Sequence, residues 1–218
     1  MPDYQVDKTL YTENLSIKIL ADFGILTKKN NTISTTAVDL VTEINSIKID
    51  VQYSQNFGQY GDLRLDFVSA YSKGEIQQGY SSINIFNKFE SKYGFKVNKV
   101  GKYFQEDYLD AVIILFYKTT LNIEDEQKDY MPDYILLITK KELLKYLNDN
   151  TEKCLKDVKL NKKEHLGDSH GSAFLPINVK ALNEDVTCYF GTPKDLKAKA
   201  EEIKKYLGCD IEAEKEDK

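Results

Sequence analysis

The sequence has little of several features that define whole classes of protein. Its three cysteines, Cys154, Cys188 and Cys209, are far apart and form no CxxC pair. That spacing argues against a zinc site or a disulfide framework and is typical of a reducing compartment. No apolar run reaches eighteen residues, and no basic segment followed by an apolar run opens the chain. We therefore expect a cytoplasmic protein without membrane contact.

Signatures of nucleotide binding and of nucleophilic catalysis are also missing. The sequence contains neither GxxxxGK[ST] nor GxGxxG, so P-loop and dinucleotide sites are not supported. Its two histidines share one loop, and no spacing singles out a Ser/His/Asp arrangement. The 35 acidic and 30 basic residues give a net charge of −5. This balance does not suggest a strongly basic nucleic-acid-binding protein, although local lysine patches can still contact nucleic acid.

What is present is enough apolar sequence for one buried core. With 218 residues, 41% of them hydrophobic, the chain predicts a single domain over residues 1–211 and a disordered acidic tail over 212–218. Apolar strands alternate with amphipathic helices, which indicates an α/β protein with a mixed central β-sheet flanked by helices. Beyond the segment described next, strands are predicted over 109–117, 134–139, 173–179 and 186–190, and helices over 12–23, 36–44, 83–93, 140–148 and 193–207.

The segment from Ile47 to Tyr71 carries the strongest chemical signal. Two stretches of period-two alternation flank a turn with two glycines, which predicts a β-hairpin. Asp50 and Asp66 then fall on the same side of that hairpin, and two neighbouring carboxylates form the usual basis of a Mg²⁺ site. A half-exposed hairpin with a solvated polar face would show the same alternation. The other polar side chains of this face are Gln52, Asp62 and Arg64.

The order of these residues resembles the PD-(D/E)XK nuclease superfamily. A first helix bears Glu13, Asp50 follows on a strand, and Gly61-Asp62 leads into a strand that ends Asp66-Phe67-Val68-Ser69. The resemblance implies a restriction-endonuclease-like domain in which Asp50 and Asp66, with fifteen residues between them, hold Mg²⁺, with Mn²⁺ as an alternative. It also implies that Glu13 lies near the metal and that Asp62 can be a third ligand.

The resemblance departs from the family at one catalytic position. Relatives carry a lysine two residues after the second acid, where this chain has Val68. A second register makes Asp50-Val51-Gln52 the acid-x-amide element, with Gln52 replacing lysine and Asp39 as the first acid. A lysine from elsewhere, Lys73 or Lys102, is a further alternative. We prefer the Asp50/Asp66 register because it uses both strands of the predicted hairpin.

A glycine-containing loop over residues 162–172 suits contact with phosphate groups. Lysine charge, serine hydroxyls and exposed backbone amides all match phosphate oxygens, and a flexible surface loop of no special function would have the same composition. The predicted nucleic-acid-binding residues in this loop are Lys162, Lys163, Ser169 and His170. Lys102, outside the loop, is a further candidate.

The function expected from the resemblance is metal-dependent DNA endonuclease activity, of the restriction or mobile-element type. Cutting both strands of duplex DNA calls for two active sites, which favours a homodimer. Two alternatives stay open. One is a nuclease fold that has lost catalysis and binds DNA or a protein partner. The other is an interaction protein that uses its 15 tyrosines, because tyrosine is enriched at interfaces.

Overall fold

The computed structural model describes residues 4–30, 38–72, 84–123, 129–162 and 171–210. The chain divides into two compact units, the first comprising Met1–Gly58, Asp110–Thr139 and Tyr189–Lys218, the second Gln59–Leu109 and Lys140–Cys188. The expectation of one domain over 1–211 stays a prediction, and the predicted acidic tail lies outside the described residues. Within the described part of the chain, no helix has both the length and the apolar character needed to cross a membrane.

Ten strands and eight α-helices make up the described residues. The strands are β1 Thr27–Lys29, β2 Leu40–Thr42, β3 Lys48–Ser54, β4 Asp62–Ser72, β5 Lys96–Val100, β6 Ala111–Phe116, β7 Tyr134–Thr139, β8 Lys159–Lys162, β9 Gly171–Asn178 and β10 Tyr189–Gly191. The helices are α1 Tyr4–Asp22, α2 Phe57–Tyr60, α3 Asn84–Tyr93, α4 Lys140–Asp149, α5 Thr151–Asp157, α6 Val179–Asp185, α7 Pro193–Lys197 and α8 Ala200–Tyr206. A 3₁₀ turn spans Lys102–Phe104.

The first unit is built on a six-stranded mixed sheet in the order β1-β2-β3-β6-β7-β10. Strands β3 and β6 pair in parallel, and the other neighbours are antiparallel. Every residue of β6 is buried, which is the expected environment for its continuous apolar sequence. Helix α1 covers one face of this sheet, and its Leu15 and Ile19 share a core with Ile49 and Val51 of β3. The predicted mixed sheet flanked by helices is therefore confirmed.

The second unit contains a four-stranded antiparallel sheet in the order β5-β4-β9-β8. Its core is aromatic: Phe67 of β4 stacks on Phe86 at 4.9 Å between ring centroids and meets Phe104 edge-on at 5.8 Å. Register shifts interrupt the pairing of β4 with both of its neighbours around Val68. Because of this irregularity, Phe67 and Val68 are both fully buried instead of alternating between faces.

The predicted hairpin between β3 and β4 is wrong. Strand β3 pairs with β2 and β6, whereas β4 pairs with β5 and β9 in the other sheet. Residues 55–61 form no tight turn but contain α2, whose Phe57 packs on Phe116 with ring centroids 4.3 Å apart. Period-two alternation identifies the two faces of a strand, but it does not identify the strand's neighbour.

Several other element boundaries differ from prediction. The short helix expected over 36–44 is wrong, because β2 occupies Leu40–Thr42 as the link between β1 and β3. Helix α1 begins at Tyr4, eight residues before the expected Thr12. The expected helix over 193–207 is divided into α7 and α8. The strands predicted over 109–117 and 134–139 are confirmed as β6 and β7.

Candidate functional site

Asp50 lies in the middle of the first unit's sheet and is completely buried, with 0% of its surface exposed. Its strand neighbours Ile49 and Val51 point into the core shared with α1, so strand alternation directs Asp50 and Gln52 to the other side. The amide Nε2 of Gln52 donates to Asp50 Oδ2 at 2.9 Å and to the Val51 carbonyl at 2.8 Å. Gln52 therefore orients the carboxylate of Asp50.

Asp39 lies beside the same strand, immediately before β2. Strand β2 pairs with β3 only at Lys48 and Ile49, and one further step of this register places Asp39 opposite Asp50. The Oδ2 atom of Asp39 accepts a hydrogen bond of 2.7 Å from the backbone N–H of Val51. The Asp39 side chain thus takes the place of a strand partner where the ladder ends, on the segment that adjoins Asp50 and Gln52.

Glu13 of α1 is electrostatically coupled to Asp39. Burial raises the pKa of its carboxyl, the negative charge of Asp39 raises it further, and Lys29 opposes the increase. The Lys29 Nζ atom lies 3.4 Å from Glu13 Oε2. The raised pKa of Glu13 thus reflects burial of its carboxyl first and the charge of Asp39 second.

The donor chemistry here fits a hard divalent cation. Mg²⁺ takes oxygen ligands and is commonly held by one or two carboxylates while keeping several waters, and Asp39 with Asp50 supplies two carboxylates from neighbouring chain segments. Across the described residues, no group of three or more histidine, cysteine, aspartate or glutamate side chains is arranged to hold a metal ion. A metal at this place would therefore depend on the aspartate pair and on water.

A polar pocket of about 340 Å³ lies between α1 and β3 in the first unit. Thr9 and Thr12 of α1 form one wall, and β3 with the residue that follows it forms the other. The Thr12 hydroxyl donates to the Lys8 and Thr9 carbonyls at 3.0 and 2.9 Å. Gln52 lines this pocket and also donates to Asp50. The lining residues are Thr9, Thr12, Val51, Gln52, Tyr53 and Gln55.

Asp66 and Asp62 lie in β4, in the second unit. Asp66 is exposed and accepts a hydrogen bond of 2.7 Å from Ser69 Oγ, and Asp62 begins the strand opposite Asn178. Val68 is fully buried, so an ammonium group at this position would lose its hydration without a compensating environment. Burial in the core therefore explains why valine, and not the lysine of the nuclease pattern, stands at position 68.

The predicted nucleic-acid-binding residues are only partly described. Lys102 lies in the 3₁₀ turn, with its Nζ 5.7 Å from the centroid of the Tyr103 ring. Lys162 ends β8, where its backbone pairs with Gly171. The remaining nucleic-acid-binding candidates, Lys163, Ser169 and His170, lie outside the described residues, as does Lys73, the alternative catalytic lysine.

Sequence reasoning missed the contribution of the first turns of α1 to this region. Because the helix was expected to start at Thr12, Lys8 and Thr9 had no assigned role. A usable signal was present, since Lys8, Thr12 and Ser16 recur every four residues and so share one face of a longer helix.

Comparison with protein-family models, with curated proteins and with solved structures found no match for this chain. The chemistry of the site therefore rests on its own residues. They are two aspartates and a glutamine on adjoining segments and a glutamate on α1, and the glutamine also lines a neutral polar pocket.

Proposed function

We propose that this chain is a metal-dependent DNA endonuclease with a restriction-endonuclease-like fold, in which Asp39 and Asp50-Val51-Gln52 form the divergent PD-(D/E)XK element. The observation that carries the proposal is the pair of hydrogen bonds that fix the two carboxylates, from Gln52 Nε2 to Asp50 and from the Val51 N–H to Asp39. This is the second of the two registers considered from the sequence. The proposed substrate is duplex DNA, and a homodimer would present one site to each strand.

The order of elements in the first unit supports this register. Glu13 comes from the first helix, Asp39 precedes β2, and Asp50 and Gln52 lie two residues apart on β3. The aliphatic strand β6 then pairs beside β3, as the resemblance leads one to expect of the strand that follows the metal-binding element. The register with Asp66 lacks such support, because β3 and β4 belong to different sheets.

The residues suggest a division of roles in phosphodiester hydrolysis. When bound, Mg²⁺ would polarise the phosphoryl oxygen and lower the pKa of a coordinated water. Asp39 and Asp50 would hold the ion, and Gln52 would keep the Asp50 carboxylate in place. Burial and the charge of Asp39 raise the pKa of Glu13, which suits its carboxyl to proton transfer. Gln52 carries no charge, so it cannot neutralise the scissile phosphate as a lysine would.

The test is plasmid cleavage with Mg²⁺ and with Mn²⁺, using wild type, Asp39→Asn, Asp50→Asn and Asp66→Asn. Asparagine keeps the shape of the side chain and removes its charge. We expect Asp39→Asn and Asp50→Asn to lower the cleavage rate at least about 100-fold, because losing a ligand costs more than losing an outer-shell partner. Asp66→Asn is the matched control and should stay within about twofold of wild type, as exposed substitutions usually do.

Two results would contradict the proposal. Loss of cleavage in Asp66→Asn together with full activity in Asp39→Asn would favour the Asp50/Asp66 register. A folded wild type that binds DNA and never cuts it would favour the alternative, a nuclease fold kept for recognition of DNA or of a protein partner.

A further inference from the structure

The polar pocket between α1 and β3 has the size and the lining of a small-molecule site. Its volume of about 340 Å³ lies at the small end of the range of about 300–1,000 Å³ that such sites occupy. Val51 and Tyr53 contribute apolar surface, and the other four lining residues are two threonines and two glutamines. These six side chains carry no charge at neutral pH. A ligand of matching chemistry is therefore uncharged and forms hydrogen bonds.

The hydrogen bonds of the two glutamines define which of their atoms remain for a ligand. A glutamine amide has two N–H donors and one carbonyl oxygen. Both donors of Gln52 are in use, toward Asp50 Oδ2 at 2.9 Å and the Val51 carbonyl at 2.8 Å. Gln55 is oriented the other way, because its Oε1 accepts from the Leu121 N–H at 2.9 Å. Within the described part of the chain, Gln52 Oε1 is therefore left as an acceptor and Gln55 Nε2 as a donor.

Both glutamines are held in place before any ligand binds. Gln52 and Gln55 are only partly exposed, and each is anchored by a bond to the backbone. Thr12 adds an oxygen that can accept, since its own proton is directed at the Lys8 and Thr9 carbonyls. Groups that are already ordered lose little entropy on binding. The lining therefore presents fixed donors and acceptors to a ligand.

A nucleobase has the chemistry that this lining recognises. It is uncharged, its Watson–Crick edge carries donors and acceptors next to one another, and its faces stack on aromatic or apolar side chains such as Tyr53 and Val51. Glutamine is among the side chains that pair with two atoms of a base. A phosphate group fits less well, because none of the lining residues is a cation that would neutralise it.

We infer that the pocket receives one base of the DNA substrate, turned out of the helical stack, with Gln55 donating to the base and Gln52 accepting from it. The inference rests on the proposed nuclease function, because it assigns a part of that substrate to the pocket. Gln52 would contact the base through Oε1 while its Nε2 holds the Asp50 carboxylate. Unpaired and mismatched bases leave the stack most easily, so the protein should prefer DNA that contains one.

The test compares the binding of two fluorescent DNA duplexes, in Ca²⁺ so that Mg²⁺-dependent cleavage does not interfere. One duplex contains a single unpaired base, and the other has an abasic site at the same position. We expect wild type to bind the first at least about fivefold more tightly, as one or two hydrogen bonds to the base would give. The ratio of the two affinities is the measured quantity, because a general change in DNA affinity cancels in it.

Gln55→Glu changes the pocket without removing its anchor. A carboxylate oxygen can still accept from the Leu121 N–H, but it has no donor for the base, so we expect the affinity ratio to fall to about one. Gln59→Glu adds the same charge at an exposed position and is the matched control, with the ratio of wild type. Gln55→Met, which adds no charge, should lower the ratio as Gln55→Glu does.

Thermal unfolding of each variant identifies those that are folded, and only these are compared. A ratio of one in wild type would overturn the inference whatever the variants do. So would a wild-type ratio that persists in folded Gln55→Glu or Gln55→Met.

Titration calorimetry with the four free deoxynucleosides separates the two sources from which a base could come. We expect these nucleosides to bind much more weakly than the duplex with the unpaired base. If one of them binds wild type but not Gln55→Glu, while the two duplexes bind equally, the assignment to DNA is overturned and the pocket belongs to a free nucleoside.

Cleavage in Mg²⁺ separates this inference from the proposed function. If wild type cuts DNA but binds the two duplexes equally, the inference fails and the nuclease proposal stands. If no variant cuts DNA, but wild type and Gln59→Glu prefer the unpaired base and Gln55→Glu does not, the nuclease proposal fails and the assignment of the pocket to a base stands.

Discussion

At the scale of single residues, the chemistry of this protein depends on how Gln52 is used. Its amide holds the Asp50 carboxylate at 2.9 Å, and it lines the adjoining pocket. A glutamine in that position can orient a carboxylate by hydrogen bonding but cannot contribute charge. Gln52 therefore separates two roles: it orients the Asp50 carboxylate, but it does not neutralise the charge of the scissile phosphate. A lysine would combine both roles.

Substitution of Gln52 tests that separation. Gln52→Leu keeps the volume and removes the hydrogen bond to Asp50, so we expect metal-dependent cleavage to fall about 10–100-fold, as for other residues that orient a metal ligand. Gln52→Lys restores a donor and adds charge, and it should cleave at least as fast as wild type. Single-turnover cleavage rates measure both effects. Wild-type rates in Gln52→Leu would show that the hydrogen bond to Asp50 has no role in the reaction.

Glu13 predicts a pH-dependent change in stability. Burial and the charge of Asp39 raise the pKa of its carboxyl above the ordinary value of 4.5. Protonation therefore favours the folded state, and this contribution is fully present below about pH 4.5 and is lost as pH rises through the folded-state pKa. We expect Glu13→Gln, which is neutral at every pH, to unfold at a higher temperature than wild type at pH 7 and at nearly the same temperature at pH 4.

The matched control for this prediction is Glu43→Gln, at an exposed position in the same unit. It should show no comparable pH-dependent difference from wild type. A lower unfolding temperature for Glu13→Gln at pH 7 would mean that the ion pair with Lys29, 3.4 Å away, outweighs the burial of the carboxylate.

At the scale of elements, the irregularity of β4 is supported by a close approach between two backbones. The Gly101 N–H donates to the Phe67 carbonyl at 3.1 Å, and a Cβ atom at Gly101 would lie only 1.7 Å from the Asp66 carbonyl oxygen. The contact pairs β4 with the residue after β5 at the place where Phe67 and Val68 both turn inward. Glycine is needed here for space and not for an unusual dihedral angle, because its φ is −60°.

Two alanine substitutions distinguish the cost of steric overlap from the cost of an unfavourable backbone dihedral angle. Gly101→Ala forces backbone to move and should destabilise the protein by about 3 kcal/mol or more, at the upper end of the cost of overpacking. Gly94→Ala places a side chain at φ 68° with nothing within 4 Å, so we expect only the left-handed penalty of about 1–2 kcal/mol. Denaturant unfolding measures both. Equal losses would mean that the sheet relaxes around residue 101.

Elements with strong local patterns are the ones that the sequence predicted well. The uniformly apolar strand β6 was predicted to within two residues at each end, because burial on both faces produces a continuous apolar run. Strand β2 was predicted as a helix, because a strand of only three residues, paired with β1 and β3, shows almost no periodic pattern in the sequence. The start of α1 was missed because its inner face is polar there, at Lys8 and Thr12.

At the scale of the whole molecule, metal binding should be visible as a change in stability. A ligand that binds only the folded state stabilises it by about 2.7 kcal/mol at a hundred times its Kd. We expect Mg²⁺ and Mn²⁺ to raise the unfolding temperature of wild type and of Asp66→Asn, by roughly 2–4 °C per kcal/mol for a chain of this size. Asp50→Asn should show little or no shift, because it lacks one of the two proposed ligands.

Differential scanning calorimetry with and without metal measures this prediction, and an equal concentration of KCl controls for ionic strength. An equal shift in Asp50→Asn and wild type would place the stabilising ion elsewhere in the molecule. A shift absent from Asp66→Asn but present in Asp39→Asn would favour the other register.

The sequence by itself determined which residues share a face of each strand, because side chains alternate along any extended chain. It therefore placed Asp50 and Gln52 together and identified the strand that carries them. Only the tertiary structure decided which strands lie beside β3, that Asp39 meets Val51, and that Val68 is buried. Strand pairing and burial depend on contacts between residues distant in the chain, and a local pattern carries no information about those partners.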